Sequence, residues 1–165
     1  MSEGVSMKVL VSACLVGRCC RYDATARYND AVVEALAGCE IVQTCPEVEG
    51  GLPCPRAASE MHRDGRVMSV EGYDVTEAYL HGAACAVEKA KRNGCSLAVL
   101  KAKSPSCGAG RIYDGTFSGR LVKGDGITVR MLRDAGVAVA NEEEFLSTAA
   151  SLLAECSTNC NVACS

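Results

Sequence analysis

Lys8-Val9-Leu10-Val11-Ser12 is an apolar run of aliphatic and β-branched residues with no polar residue alternating through it. A strand wetted on one face alternates apolar and polar side chains, whereas a strand covered on both faces does not. The run therefore reads as a central strand of a parallel sheet. It passes straight into Ala13-Cys14-Leu15-Val16-Gly17, where the glycine permits a turn.

The same grammar repeats along the chain. A helix is expected over about Asp30 to Ala37, with Val32, Val33 and Leu36 on its inner side and Gly38 as its stop. Glu40-Ile41-Val42-Gln43-Thr44 is a second strand, ending at Cys45-Pro46-Glu47. From Cys45 to about Val70 regular pattern is sparse, and Gly50-Gly51-Leu52-Pro53-Cys54-Pro55-Arg56 is dense in breakers. Long loops in compact domains usually serve a site, so an ordered loop over the site is expected, with Arg66-Val67-Met68 as a short hairpin strand at its rim. Asp74-Val75-Thr76-Glu77 reads as a capping box with Asp74 as the cap. It opens an alanine-rich helix that Gly94 closes. Ser96 to Leu100 is a third strand, and Asp114-Gly115 marks a turn after Ile112-Tyr113. Gly126 to Ala135 is a helix stopped by Gly136, Val137 to Ala140 is a fourth strand, and Asn141 caps a last helix. This alternation is the signature of an α/β fold, a doubly wound, mostly parallel, Rossmann- or flavodoxin-like sheet with helices on both faces. Residues 1–150 are expected to form one such domain, and 151–165 a helix end and cysteine-rich tail.

Sheets of this kind bind ligands beyond the carboxyl ends of their strands. Cys14 follows the first strand, Cys45 the second, and Cys107 the third. Cys107 lies in Lys103-Ser104-Pro105-Ser106-Cys107-Gly108-Ala109-Gly110, a stretch that can continue neither as strand nor as helix. All three thiols fall on one edge of the sheet. Thiolates select soft metals and iron–sulfur clusters, and three protein ligands leave one position open. The competing reading is three buried apolar cysteines. Glu47 and Ser104 lie close by in sequence. A carboxylate and a hydroxyl there could move protons, or could brace a loop through Arg21 or Arg56 and form a turn. A nucleophilic cysteine enzyme is disfavoured, because neither His62 nor His81 lies in a strand-end motif.

Composition narrows the class. The chain has 165 residues, is 48% hydrophobic and 22% charged, and has a net charge of -3. With 4% aromatic residues and no tryptophan, it offers neither a stacking surface nor a basic field for nucleic acid. No apolar stretch reaches membrane-spanning length, and the first residues lack the basic-then-apolar order of a signal peptide. A cytoplasmic protein is expected. Its twelve cysteines must then divide among metal binding, catalysis and packing. Cys39, Cys85 and Cys95 read as packing residues. Cys20 could guard the site or pair with a ligand, and Cys54 sits in the long loop. Cys156, Cys160 and Cys164 recur every four residues in a tail whose helical continuation Ser157-Thr158-Asn159 makes doubtful.

Several ordered motifs carry a resemblance. They are Val11-Ser12-Ala13-Cys14-Leu15 with Cys20-Arg21-Tyr22-Asp23, Cys45-Pro46-Glu47, and Gly50-Gly51-Leu52-Pro53 with Pro55-Arg56. Then come Lys103-Ser104-Pro105-Ser106-Cys107-Gly108, Tyr113-Asp114-Gly115-Thr116-Phe117-Ser118-Gly119 and Gly124-Asp125-Gly126. In that order, over about residues 7 to 145, they resemble the thiouracil desulfidase family. Ala24 stands where that family usually has glycine, and Cys54 where it usually has threonine. The resemblance implies a [4Fe-4S] cluster on Cys14, Cys45 and Cys107 with the fourth iron open. It further implies non-redox removal of sulfur from a thiolated uracil, with Glu47 and Ser104 as the proton-handling pair. A thiolated pyrimidine base or nucleoside is the expected substrate, with no membrane and no nucleic-acid partner. A non-catalytic iron–sulfur or sulfur-carrier module, and action on thiolated nucleotides in RNA, are the alternatives.

Overall fold

Val9, Leu10 and Val11 have no exposed surface, as a strand covered on both faces requires. The structure is a computed structural model and describes residues 6–162, with side chains through residue 158. Strand β1 (Lys8–Ser12) leads through a turn of 3-10 helix (Ala13–Val16) to α1 (Asp30–Ala35) and β2 (Glu40–Thr44). Next come α2 (Pro46–Glu49), the hairpin β3 (Ser59–Met61) and β4 (Val67–Ser69), and the long helix α3 (Thr76–Asn93). Strand β5 (Leu97–Leu100) is followed by a second hairpin, β6 (Arg111–Tyr113) and β7 (Leu121–Lys123). Helix α4 (Ile127–Asp134), β8 (Ala138–Asn141) and α5 (Glu142–Val162) complete the chain.

The main sheet has the order β2-β1-β5-β8 and every neighbouring pair is parallel. Its two faces are sorted by the period of two along a strand. Val9, Val11, Leu97 and Val99 pack with Val32 of α1, Leu36 just after that helix and Phe145 of α5. Leu10, Ala98 and Leu100 pack with Ala86 and Ala90 of α3 and Val129 and Leu132 of α4. The chain leaves β1 toward β2 and then crosses back over the other face to β5. The winding therefore reverses between β1 and β5, where such folds open a crevice. A third cluster, with Met61, Val67, Tyr79 and Ile112, seats both hairpins against α3 and α4.

Three local readings change. Residues 45–70 are more regular than expected, since α2, β3 and β4 all lie there. Asp74 does not cap α3. Its Oδ1 instead accepts from Thr76 N at 3.0 Å and Thr76 Oγ1 at 2.6 Å, and the helix starts one residue later than a box would place it. A short polar side chain that bonds its own backbone two residues on competes with capping. Helix α5 does not stop before the cysteines: Cys156 is buried, and its Sγ lies 3.8 Å from Ser96 O. Cys160 falls within α5, and Cys164 lies outside the described residues. Asn141 does cap, its Oδ1 accepting from Glu144 N at 2.8 Å. No described helix is long and apolar enough to cross a membrane.

Candidate functional site

Three strand ends deliver the site. β1 passes into the 3-10 turn, which Gly17 closes at φ +101°, a conformation that suits glycine. Cys14 is buried inside that turn, and its carbonyl accepts from Arg27 N at 2.9 Å, folding the following loop back across it. β2 ends at Cys45, which precedes α2. Pro46 takes the first helical position, where its missing N–H costs nothing.

The third strand end is the most heavily pinned. Ser104 Oγ accepts from Ser106 N at 3.0 Å and from Cys107 N at 2.8 Å. Gly108 N donates to Ser104 O, and a Cβ on Gly108 would meet that oxygen at 2.6 Å. The start of α4 then grips the loop: Gly126 N donates to Gly108 O, Ile127 N to Pro105 O and Thr128 N to Ser106 O. The buried Ser106 hydroxyl bonds Thr128 Oγ1 at 2.8 Å, a structural role. Lys103, at φ +76°, holds left-handed backbone that a non-glycine residue adopts only when its surroundings fix it there.

These segments surround one cavity of about 380 Å³. Cys14, Cys45 and Cys107 line it together with Glu47 and Ser104, so the structure brings all five sequence-selected residues to one place. Cys20, Arg21, Arg27, Arg56, Tyr79, Lys101 and Lys103 line it too. Arg56 holds Glu47 through Nε at 2.8 Å and Nη2 at 2.5 Å, both on Oε2. The same guanidinium donates to Cys20 O at 3.0 Å and to Pro53 O at 3.1 Å. Lys101 is paired with Glu142 at 2.6 Å, and Glu142 also accepts from Ala102 N. The buried Tyr79 was not singled out in the sequence, because it reads as an ordinary inner-face residue of α3. Its hydroxyl bonds Ser59 and Glu47, and burial, followed by the Glu47 charge, pushes its pKa up.

The thiols differ electrostatically. Burial, with the neighbouring Cys45, pushes Cys14 up to about 11. Burial, followed by the charge of Glu47, raises Cys107 as well. Cys45 is instead lowered to about 7, chiefly because its sulfur accepts a hydrogen bond from Cys20. The donor, Cys20, is raised by that same bond and by burial. Soft thiolate donors of this kind match an iron–sulfur cluster. Among the described residues no group of three or more His, Cys, Asp or Glu converges on a single ion. Three thiols spread around one cavity fit a cluster, whose irons stand apart, better than one metal atom. Loading such a site displaces thiol protons.

The fold and the cavity define a doubly wound α/β protein with a thiol-lined site at the carboxyl edge of its sheet. The family model for 2-thiouracil desulfurase matches residues 9–144, and the chain belongs to that family. It is 37% identical over 146 residues to the uncharacterized protein YbbK of Bacillus subtilis (strain 168), covering 83% of this chain and 97% of that protein. It is also similar to a solved structure described as a [4Fe-4S]-dependent thiouracil desulfidase, TudS. That match has a TM-score of 0.80 and 38% identity, over 89% of this chain and 99% of the other.

Proposed function

We propose that this chain is a cytoplasmic enzyme that hydrolyses the carbon–sulfur bond of a thiolated uracil base or nucleoside, using a [4Fe-4S] cluster held by Cys14, Cys45 and Cys107. The reaction consumes water and releases sulfide and the oxo compound, with no net electron transfer. The observation that carries this reading is the gathering of three thiols from three strand ends around one cavity that also holds Glu47 and Ser104. Family membership and likeness to TudS support it.

The cluster, when bound, supplies a Lewis-acidic iron toward which substrate sulfur is drawn. The chain's own residues do the rest. Arg56 fixes Glu47 by a fork on Oε2 and leaves Oε1 outside that fork. A carboxylate so held can take a proton from water attacking the ring carbon. Ser104 Oγ accepts two backbone N–H groups, so its own hydrogen is left to donate elsewhere. That suits Ser104 to hand a proton to the departing sulfur. Arg21, Arg27 and Lys103 add positive charge around the cavity, favouring a substrate that gains negative character.

The test is sulfide release from a panel of thiouracils and thionucleosides by anaerobically reconstituted protein. Activity is expected in the wild type, with a loss of at least about a hundredfold in Glu47→Ala at retained iron. Iron-replete protein that releases no sulfide from any member of the panel would leave a sulfur-carrier role instead.

A further inference from the structure

Cys20 is the fourth thiol of the cavity and has no part in the chemistry above. It is 4% exposed and Cys45 is 8% exposed. The two thiols share a side-chain hydrogen bond, and Cys45 Sγ lies 3.7 Å from Cys20 O. The contact joins two segments far apart in the chain, the loop after β1 and the end of β2. Both are pinned against relative movement: Arg56 reaches from Glu47, two residues after Cys45, to the Cys20 carbonyl, and Arg56 N donates to Tyr22 O at 2.8 Å. Neither sulfur is in a disulfide in this structure.

We propose that Cys20 and Cys45 are a reversible disulfide pair of the cluster-free protein, formed by peroxide and opened by dithiols. Two buried thiols that share a hydrogen bond, on segments tied together by Arg56, have the proximity a disulfide requires. The Cys45 sulfur attacks one oxygen of hydrogen peroxide, the oxygen–oxygen bond breaks, and the leaving hydroxide takes a proton to become water. Cys45 is then a sulfenic acid. The Cys20 sulfur attacks the Cys45 sulfur, the sulfur–oxygen bond breaks, and the oxygen leaves as a second water with the Cys20 proton. Two thiols and one peroxide thus yield one disulfide and two waters. A dithiol reverses the step by thiol–disulfide exchange. The pair shields Cys45 from irreversible over-oxidation while the site holds no cluster, and it makes cluster loading depend on reductant. It forms whether or not the cavity cleaves a carbon–sulfur bond.

Cluster-free protein is treated with hydrogen peroxide, its remaining thiols are alkylated, and its peptides are mapped by mass spectrometry without reduction. The wild type is expected to show Cys20 linked to Cys45. Adding dithiothreitol should restore both thiols. In Cys20→Ser the Cys45 peptide is expected to carry sulfinic acid instead. Iron uptake by peroxide-treated wild type should be slowed at least about tenfold until dithiol is added. Two alternatives, Cys19 linked to Cys54 at the surface and Cys45 linked to Cys14 or Cys107, serve as internal controls. Finding either with Cys20 still alkylatable overturns the pairing, as does finding Cys45 over-oxidised equally in wild type and Cys20→Ser.

Discussion

Gly82 of α3 and Pro46 of α2 approach so closely that a Cβ on Gly82 would lie 1.7 Å from the Pro46 carbonyl oxygen. On the other side of the same contact, a Cβ on Gly50 would lie 2.1 Å from Ala78 O. Pro46 sits between Cys45 and Glu47, so this backbone contact sets the position of both. Gly82→Ala must push α2 off α3. The expected cost is about 1–3 kcal/mol or more in chemical denaturation. Iron retention and sulfide release are expected to fall with it, because Cys45 and Glu47 shift together. Unchanged stability in Gly82→Ala would mean that this contact does not position the site.

Arg56 makes four side-chain bonds to Glu47, Cys20 and Pro53, and its side chain is almost fully buried. Arg56→Ala leaves a largely buried carboxylate unpaired and is expected to cost about 3 kcal/mol. Arg56→Lys keeps the charge and loses the planar fork, at about 1–2 kcal/mol. Urea denaturation orders the three proteins as wild type, Lys variant, Ala variant.

Ala24 adopts φ +59°, left-handed backbone that costs a residue with a Cβ about 1 kcal/mol and glycine little. The family resemblance places glycine at this position. Ala24→Gly is expected to be neutral or to stabilise by up to about 1 kcal/mol, although glycine also frees the unfolded chain. A thermal melt that falls by several degrees would contradict this.

Asp23, Asp74 and Asp114 each accept from the backbone N–H and the hydroxyl of the threonine two residues on. Those bonds, the threonine hydroxyl's first, hold each carboxyl below its ordinary 3.8. A carboxyl lowered by folding stabilises fully above its unfolded pKa and loses that contribution as pH falls through its folded one. The three loops are therefore expected to loosen below about pH 4. Amide exchange at Thr25, Thr76 and Thr116 should quicken there, and replacing each aspartate by asparagine should flatten that dependence.

Much of this was legible in the chain because the parallel strands are short, apolar and followed at once by breakers. Val9, Leu10 and Val11 read as a buried strand, and the breaker-rich stretch around Cys107 as a loop. Strand order then put Cys14, Cys45 and Cys107 on one edge. What stayed hidden depends on contacts between distant segments. Tyr79 reads like any inner residue of an alanine-rich helix until α2 carries Glu47 against it. Lys101 extends an apolar strand and shows no sign of facing a cavity. Asp74 matched the capping pattern, but its own bond to Thr76 took precedence. Helix α5 runs on through its weak helix formers, with the buried Cys156 packed beside Ser96, just before β5.

Hydrolysis of a carbon–sulfur bond in the cavity of Cys14, Cys45 and Cys107, loaded with its cluster, is the activity proposed for this protein. Reaction of the reconstituted protein with 2-thiouracil in heavy-oxygen water tests it most directly. The expected result is sulfide and uracil in equal amounts, with the new uracil oxygen labelled, and neither product from Cys107→Ala. Uracil with unlabelled oxygen, or equal turnover by Cys107→Ala, would contradict it.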